Sequence, residues 1–304
     1  MRYEVQRDFI GYGANPPDPH WPNGAKIAVN FVFNYEEGSE PSFQDGDGFT
    51  ENGLTEAHGR VDVKSGRDLA AESMFEYGSR VGFWRLSRLF RDRDLPFTVF
   101  GCALALERNP AVAAAIREGG YDVCSHGLRW VKHFELDEAE ERAQIHRAAA
   151  SIAQSVGQAP EGWYCRYGPS VNTRRLVAEH GGFLYDSDYY GEELPFWLTV
   201  EGKSHLVVPY SLTNNDAKQA GAIATSEQWF SFVRDAFDML HEEGVRGQPK
   251  MMSVGLHMRM IGHPARAMGL QRLLDHMMAR PGVWITRRID IVRHWMATHP
   301  YPGS

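Results

Sequence analysis

The sequence predicts an α/β fold in which parallel strands alternate with helices and close, or nearly close, into a (β/α) barrel of seven or eight strands. Three observations predict it. Apolar runs of strand length alternate with longer runs at helical spacing, the pattern of a parallel sheet with helices outside it. Helices end in glycine just before a strand at Gly119-Gly120, Gly181-Gly182, Gly244 and Gly282, since glycine accepts the left-handed conformation that stops a helix. No glycine-rich dinucleotide fingerprint follows the first strand, which argues against a doubly wound open sheet.

The elements follow in order. Residues 1–24 hold the Pro- and Gly-rich GYGANPPDPHWPNG and are expected as an extended segment. AKIAVNFVFNY (25–35) is the first strand. Residues 38–72 form a long polar insertion, expected as a lid, a partner contact or a disordered loop. SMFEYGSRVGFWRLSRLF (73–90) has helical spacing, PFTVFGCAL (96–104) is a strand, and NPAVAAAIREGG (109–120) is a helix capped by Asn109 with Pro110 at its first position. YDVCSH (121–126) is the third strand. A helix starts at Asp137 with Glu140 completing a capping-box pattern. Strands at 162–167, 183–188, 205–212, 250–258 and 283–286 then alternate with helices at 172–182, 227–244 and 266–282, and RRIDIVRHWMATH (287–299) closes the chain. The whole, 1–304, reads as a single domain.

Composition excludes several classes. Apolar residues make up 43% of the chain, charged residues 23% and aromatics 12%, as in ordinary globular proteins. The net charge of −7 comes without any block of Lys or Arg, which sets aside nucleic-acid and anionic-membrane partners. The N-terminus places charges where a signal peptide needs an apolar core, and the longest apolar stretch is too short to span a bilayer. Cys102, Cys124 and Cys165 form no CxxC pair. Reduced thiols and a cytoplasmic location are therefore expected.

In a parallel barrel the chemistry sits at the C-terminal ends of the strands. Asn34, Glu36 and Glu37 end the first strand, His126 the third, Arg166 the fourth, and Asp186 and Asp188 the fifth. The sixth runs into Asn214, Asn215 and Asp216, and His257 ends the seventh. Alternation sharpens this choice. Ile27, Val29, Phe31, Phe33 and Tyr35 share a bulky face suited to pack under helices, while Ala28, Asn30, Val32, Asn34 and Glu36 share the interior face. Ser253, Gly255 and His257 form the matching inner set. A carboxylate and a histidine across one pocket can hydrolyse an amide. The acid takes a proton from attacking water, and the imidazole donates one to the oxygen or the leaving nitrogen.

These residues resemble the motifs of the polysaccharide deacetylase superfamily over nearly the whole chain. NYEEG resembles the acidic pair that ends its first strand, SHGLRW the His-rich motif of its third, RYGP the arginine-proline motif after its fourth, and Leu256-His257 its late Leu-His element. DFIGYGANPPDPHWP, NFVFNYEEGSE, PYSLTNND and GLHMRMIGHPAR are similar to the metal-independent allantoinase branch. The resemblance implies a distorted TIM-like barrel of the polysaccharide deacetylase type. It also implies a hydrolase of non-peptide C–N bonds that opens a cyclic ureide, allantoin to allantoate in purine catabolism, and works as a homo-oligomer on a small-molecule substrate.

Metal-using relatives hold zinc through one acid and two histidines, but the second histidine position here is Trp130, and a catalytic zinc normally needs three protein ligands. No cofactor is therefore expected. If a metal were present, Zn would sit at Glu36 or Glu37 and His126. His133, seven residues on from His126, is expected on a solvated turn. The implied roles are catalytic for Glu36, Glu37, His126, Arg166 and His257, with Glu36 the base and Glu37 its alternative. Asn34, Trp130, Asp186, Asp188 and Asn215 are implied to bind substrate, Trp130 as a flat apolar wall. The rival readings are a metal-dependent polysaccharide or peptidoglycan N-deacetylase and a catalytically inactive small-molecule binding protein.

Overall fold

A computed structural model of the chain describes residues 3–55, 66–219, 222–223 and 225–303. Strand β1 (Ile27–Tyr35) is buried along its whole length. Ile27, Val29, Phe31, Phe33 and Tyr35 join the core under the helices, whereas Ala28 and Val32 face an interior core with Phe100, Cys124, Tyr164 and Tyr210. The alternation of side-chain size along β1 thus decides which face meets helices and which lines the barrel.

Around β1 lie α1 (Leu69–Tyr77), α2 (Phe83–Arg91), β2 (Thr98–Gly101), α3 (Ala103–Arg108), α4 (Pro110–Glu118) and β3 (Asp122–Ser125). Then come α5 (Glu138–Val156), β4 (Gly162–Trp163), α6 (Thr173–His180), β5 (Tyr185–Asp186), β6 (Phe196–Val200), β7 (Lys203–Val207) and α7 (Asp216–Gln219). The chain ends with α8 (Ser226–Val245), β8 (Lys250–His257), α9 (Pro264–Met278), β9 (Val283–Ile285) and α10 (Arg288–Thr298). The strands form one sheet in the order β6-β7-β5-β4-β3-β2-β1-β8, with β9 beside the first residues of β1. All pairs are parallel except β6–β7. The result is a distorted TIM-like barrel that stays open between the β6–β7 hairpin and β8.

The open seam is bridged by side chains. Arg288, fully buried, donates from Nε to Ser187 Oγ (2.8 Å), from Nη1 to Ser253 Oγ (2.9 Å) and Asn30 Oδ1 (3.3 Å), and from Nη2 to the carbonyls of Val208 (2.7 Å) and Pro209. It therefore ties the end of β7 to β8 across the gap. Higher up, the Gly255 N–H donates to the Asn214 carbonyl at 3.0 Å.

Several expectations need correction. The helix read over 73–90 is interrupted by a π-turn at Gly78–Gly82. A Cβ at Gly78 would collide with Glu37 Oε1, and one at Gly82 with the Met258 carbonyl, so the glycines let this helix approach the ends of β1 and β8. The strand read over 96–104 stops at Gly101, and α3 follows. The β6–β7 hairpin was not anticipated. Its turn residues Glu201 and Gly202 have φ of 50° and 77°, as a two-residue type I′ turn requires. Gly120, Gly181 and Gly282 do adopt positive φ, but Gly244 lies inside α8, where a Cβ would strike the Lys26 carbonyl.

Residues 3–24 contain turns and one short 3-10 turn at Pro22–Gly24. The described part of the insertion is seated on the rim by arginines. Arg108 pairs with Asp45 (2.5 Å), Arg129 with Asp47 (2.6 Å) and Arg166 with Glu51 (2.7 Å). Residues 56–65 of the insertion lie outside the described residues. Among the described residues, no helix is long and apolar enough to cross a membrane.

Candidate active site

The ends of β1, β3 and β8 bring Glu36, His126 and His257 to one cavity of about 210 Å³. Asn34, Leu54, Trp130, Tyr164, Arg166, Asn215 and Lys218 are also in its walls. Its volume falls below the ~300–1,000 Å³ of pockets for drug-sized ligands, so it suits a small ring. Larger hollows of about 510 and 600 Å³ elsewhere in the fold contain no histidine.

Glu36, 1% exposed, is the centre of the arrangement. Its Oε1 lies 3.2 Å from His126 Nε2 and 3.4 Å from His257 Nε2, and its Oε2 lies 2.8 Å from Arg259 Nη2. Burial alone would raise the carboxyl's pKa, but Arg259, His257 and the bond to His126 outweigh it and hold Glu36 well below the usual carboxylate range. It is therefore ionised at neutral pH.

The two histidines are oriented from behind. His126 Nδ1–H donates to the Tyr164 carbonyl at 2.9 Å, since a carbonyl only accepts, and this turns Nε2 to Glu36. His257 Nδ1–H donates to Asp216 Oδ1 at 2.6 Å. Asp216 is fixed in turn by the backbone N–H groups of His257 (2.9 Å) and Ile261 (3.1 Å), both donating to Oδ2. Burial would depress the imidazole pKa, but Glu36 and Asp216 together push His257 up to about 9. His257 thus enters neutral solution as an imidazolium, able to give a proton but not to take one.

The other sequence-chosen residues divide. Glu37 does not face the cavity. Its Oε1 accepts from the Arg259 backbone N–H (3.2 Å) and Nη1 (3.4 Å), and its Oε2 accepts from the Glu36 N–H (3.2 Å). Burial, opposed by Arg259 and reinforced by Glu36, pushes its carboxyl up to about 7. Arg166 lies in the cavity wall stacked 3.8 Å over the Trp130 ring, but its charge is already paired with Glu51. Asn34 and Asn215 both donate to the Tyr210 hydroxyl, at 3.3 and 3.1 Å, which fixes them at the cavity floor.

Asp186 and Asp188 are not brought to this cavity. Asp186 is held by Arg174 and His205, each at 2.7 Å, and Asp188 accepts from the Cys165 backbone N–H at 3.2 Å. β5 pairs through only two residues, and its end turns both acids away from Glu36. His133 is also not on a solvated turn. It is 1% exposed, and its Nδ1 bonds Glu141 Oε1 at 3.1 Å.

Sequence reasoning missed Arg259 as part of the site and did not see Asp216 as the support of His257. Arg259 stands two residues after His257 in VGLHMRM, in the turn just past the end of β8, and this nearness to a strand-end histidine was its one signal. Asp216 gave no such signal, because α7 carries it to His257 from 41 residues away.

Fold and site together form a half-open parallel barrel whose rim pairs a carboxylate with a histidine, an arrangement able to hydrolyse an amide. Residues 65–185 match the description of the polysaccharide deacetylase family. A Schizosaccharomyces pombe protein classed as a polysaccharide deacetylase is 41% identical over 98% of this chain and 99% of its own. Two solved structures are each 46% identical with a TM-score of 0.93, over 98% of this chain and 100% of theirs. One is a Pseudomonas aeruginosa PAO1 protein classed as a polysaccharide deacetylase and the other a PuuE allantoinase. The chain belongs to the polysaccharide deacetylase family.

A catalytic zinc normally takes three protein donors, and the donors here do not fit that requirement. Among the described residues no group of three His, Cys, Asp or Glu side chains is arranged to hold a metal ion. Trp130 offers no lone pair, and Glu36 Oε2 is taken by the Arg259 guanidinium.

Proposed function

We propose that this protein hydrolyses an amide bond of a small cyclic ureide, allantoin to allantoate, without a metal ion. The single observation that carries the reading is the Glu36 carboxylate, bounded by two histidines and an arginine beside the apolar Trp130 wall. Glu36 Oε1 accepts a proton from water as the oxygen attacks the ring carbonyl. His257 Nε2–H donates to the leaving nitrogen, and its positive charge stabilises the developing oxyanion. The proton on Glu36 then passes to His257 Nε2 across the 3.4 Å gap, which restores both groups. Trp130 and Tyr164 form the walls for a flat ring, and Asn34 and Asn215 meet its polar edge. The likeness to a PuuE allantoinase over the full chain supports this substrate. The reading includes a homo-oligomer acting in the cytoplasm.

The test is a panel of allantoin, hydantoin and N-acetylglucosamine oligomers, assayed with and without chelator and paired with metal analysis. Ureide turnover indifferent to chelator is the expected result. Hydrolysis of the sugars alone, abolished by chelator, would move the protein to the polysaccharide N-deacetylases. No turnover of any of them would favour a binding protein.

A further inference from the structure

We propose that Arg259 is a positioning residue for this reaction, anchoring one oxygen of Glu36 so that the other faces His126, His257 and the cavity. The inference rests on the reading of Glu36 as the base. The two carboxylate oxygens have separate surroundings: Oε1 meets both histidines, and Oε2 meets only Arg259 Nη2, at 2.8 Å. A glutamate has three side-chain torsions, so an unanchored carboxylate has several staggered alternatives.

Arg259 can act as an anchor because it is itself fixed on every side. It is 1% exposed. Its backbone N–H and Nη1 donate to Glu37 Oε1, and its Nε donates to the Leu54 carbonyl at 2.9 Å. Its guanidinium lies 4.6 Å from the Phe75 ring centroid and 4.9 Å from that of Trp130. Glu37, buried behind the cavity, then has a part as well: it holds Arg259 and also accepts from the Glu36 backbone. Trp130 forms one wall of the cavity and one face of the arginine's slot. The guanidinium makes directional bonds to Glu37 and Leu54 and, so held, sets its Nη2 charge 2.8 Å from Glu36 Oε2 as a close ion pair; an ammonium on a flexible stem is not held in this way.

The test combines kinetics on allantoin with crystal structures of R259K, R259M and R259M/E37Q. The double variant removes one of the two carboxylates left without Arg259, should R259M alone fail to fold. The expected result is a kcat about 100-fold lower, the scale of a misplaced catalytic group, with KM nearly unchanged and little recovery in R259K. Added guanidinium at low concentration restores part of the kcat of R259M, whereas urea, of the same shape but neutral, does not. In the R259M structure the Glu36 carboxylate has turned away from the histidines. Wild-type kcat in any folded variant, equal rescue by urea, or an unmoved Glu36 would overturn the proposal. A wild-type protein inactive on allantoin, with Glu36 displaced in R259M, would fault the substrate reading and leave the positioning role standing.

Discussion

Glu36 must stay ionised in a buried place, and three neighbours make that possible. The proposed mechanism needs it charged and His257 protonated. The rate should therefore hold level across neutral pH and fall on the alkaline side as His257 loses its proton near pH 9. Asp216→Asn removes one of the charges that raise that value, so the alkaline fall should move to lower pH; an unmoved limb in the kcat/KM profile would exclude His257 as the acid. Glu36→Gln should lower kcat by about 100-fold or more, the usual scale for a lost acid–base group, with the circular dichroism spectrum unchanged. The same raised histidine affects stability. Its contribution is fully present below its ordinary 6.5 and is lost as pH rises through about 9, so urea midpoints should decline over that window. At this scale the sequence was readable where a strand end places a residue directly, as at Glu36, His126 and His257. It misled at Asp186 and Asp188, where a polar strand end is satisfied by Arg174, His205 and Cys165 instead of a ligand.

The interrupted helix α1–α2 shows what an element does for the site. Its π-turn carries Gly78 against Glu37 and Gly82 against the Met258 carbonyl, and π-turns inside helices are frequent at functional sites. Gly78→Ala and Gly82→Ala should each destabilise the fold by about 1–3 kcal/mol through overpacking, read as a drop in Tm. Gly78→Ala should also reduce kcat, because the displaced group is Glu37. An alanine at either site with unchanged Tm would show that the close approach is relaxed in solution. Helical periodicity over 73–90 was legible, but the break within it was not, since it depends on what the helix touches. The β6–β7 hairpin was not legible either, since Glu201-Gly202 is not a usual hairpin pair and the following KSHLV opens with polar residues.

The barrel as a whole is held at its seam by Arg288, whose acceptors come from β1, β8 and the residues just after β5 and β7. Arg288→Met should destabilise the protein by about 3 kcal/mol or more, because each buried acceptor left without a partner costs ~1–3 kcal/mol. A urea midpoint close to wild type would show that the seam closes by other means. By itself the sequence determined the alternation of strands and helices, the inner and outer faces of β1, and the rim carrying Glu36, His126 and His257. Those features follow from local periodicity and from where a strand must end. Only the tertiary structure decided that the barrel stays open, that Asp216 stands against His257 and Arg259 against Glu36, and that Glu37 faces away from the cavity. Those outcomes depend on contacts between residues far apart in the chain, where burial and charge pairing act on positions that no local pattern relates.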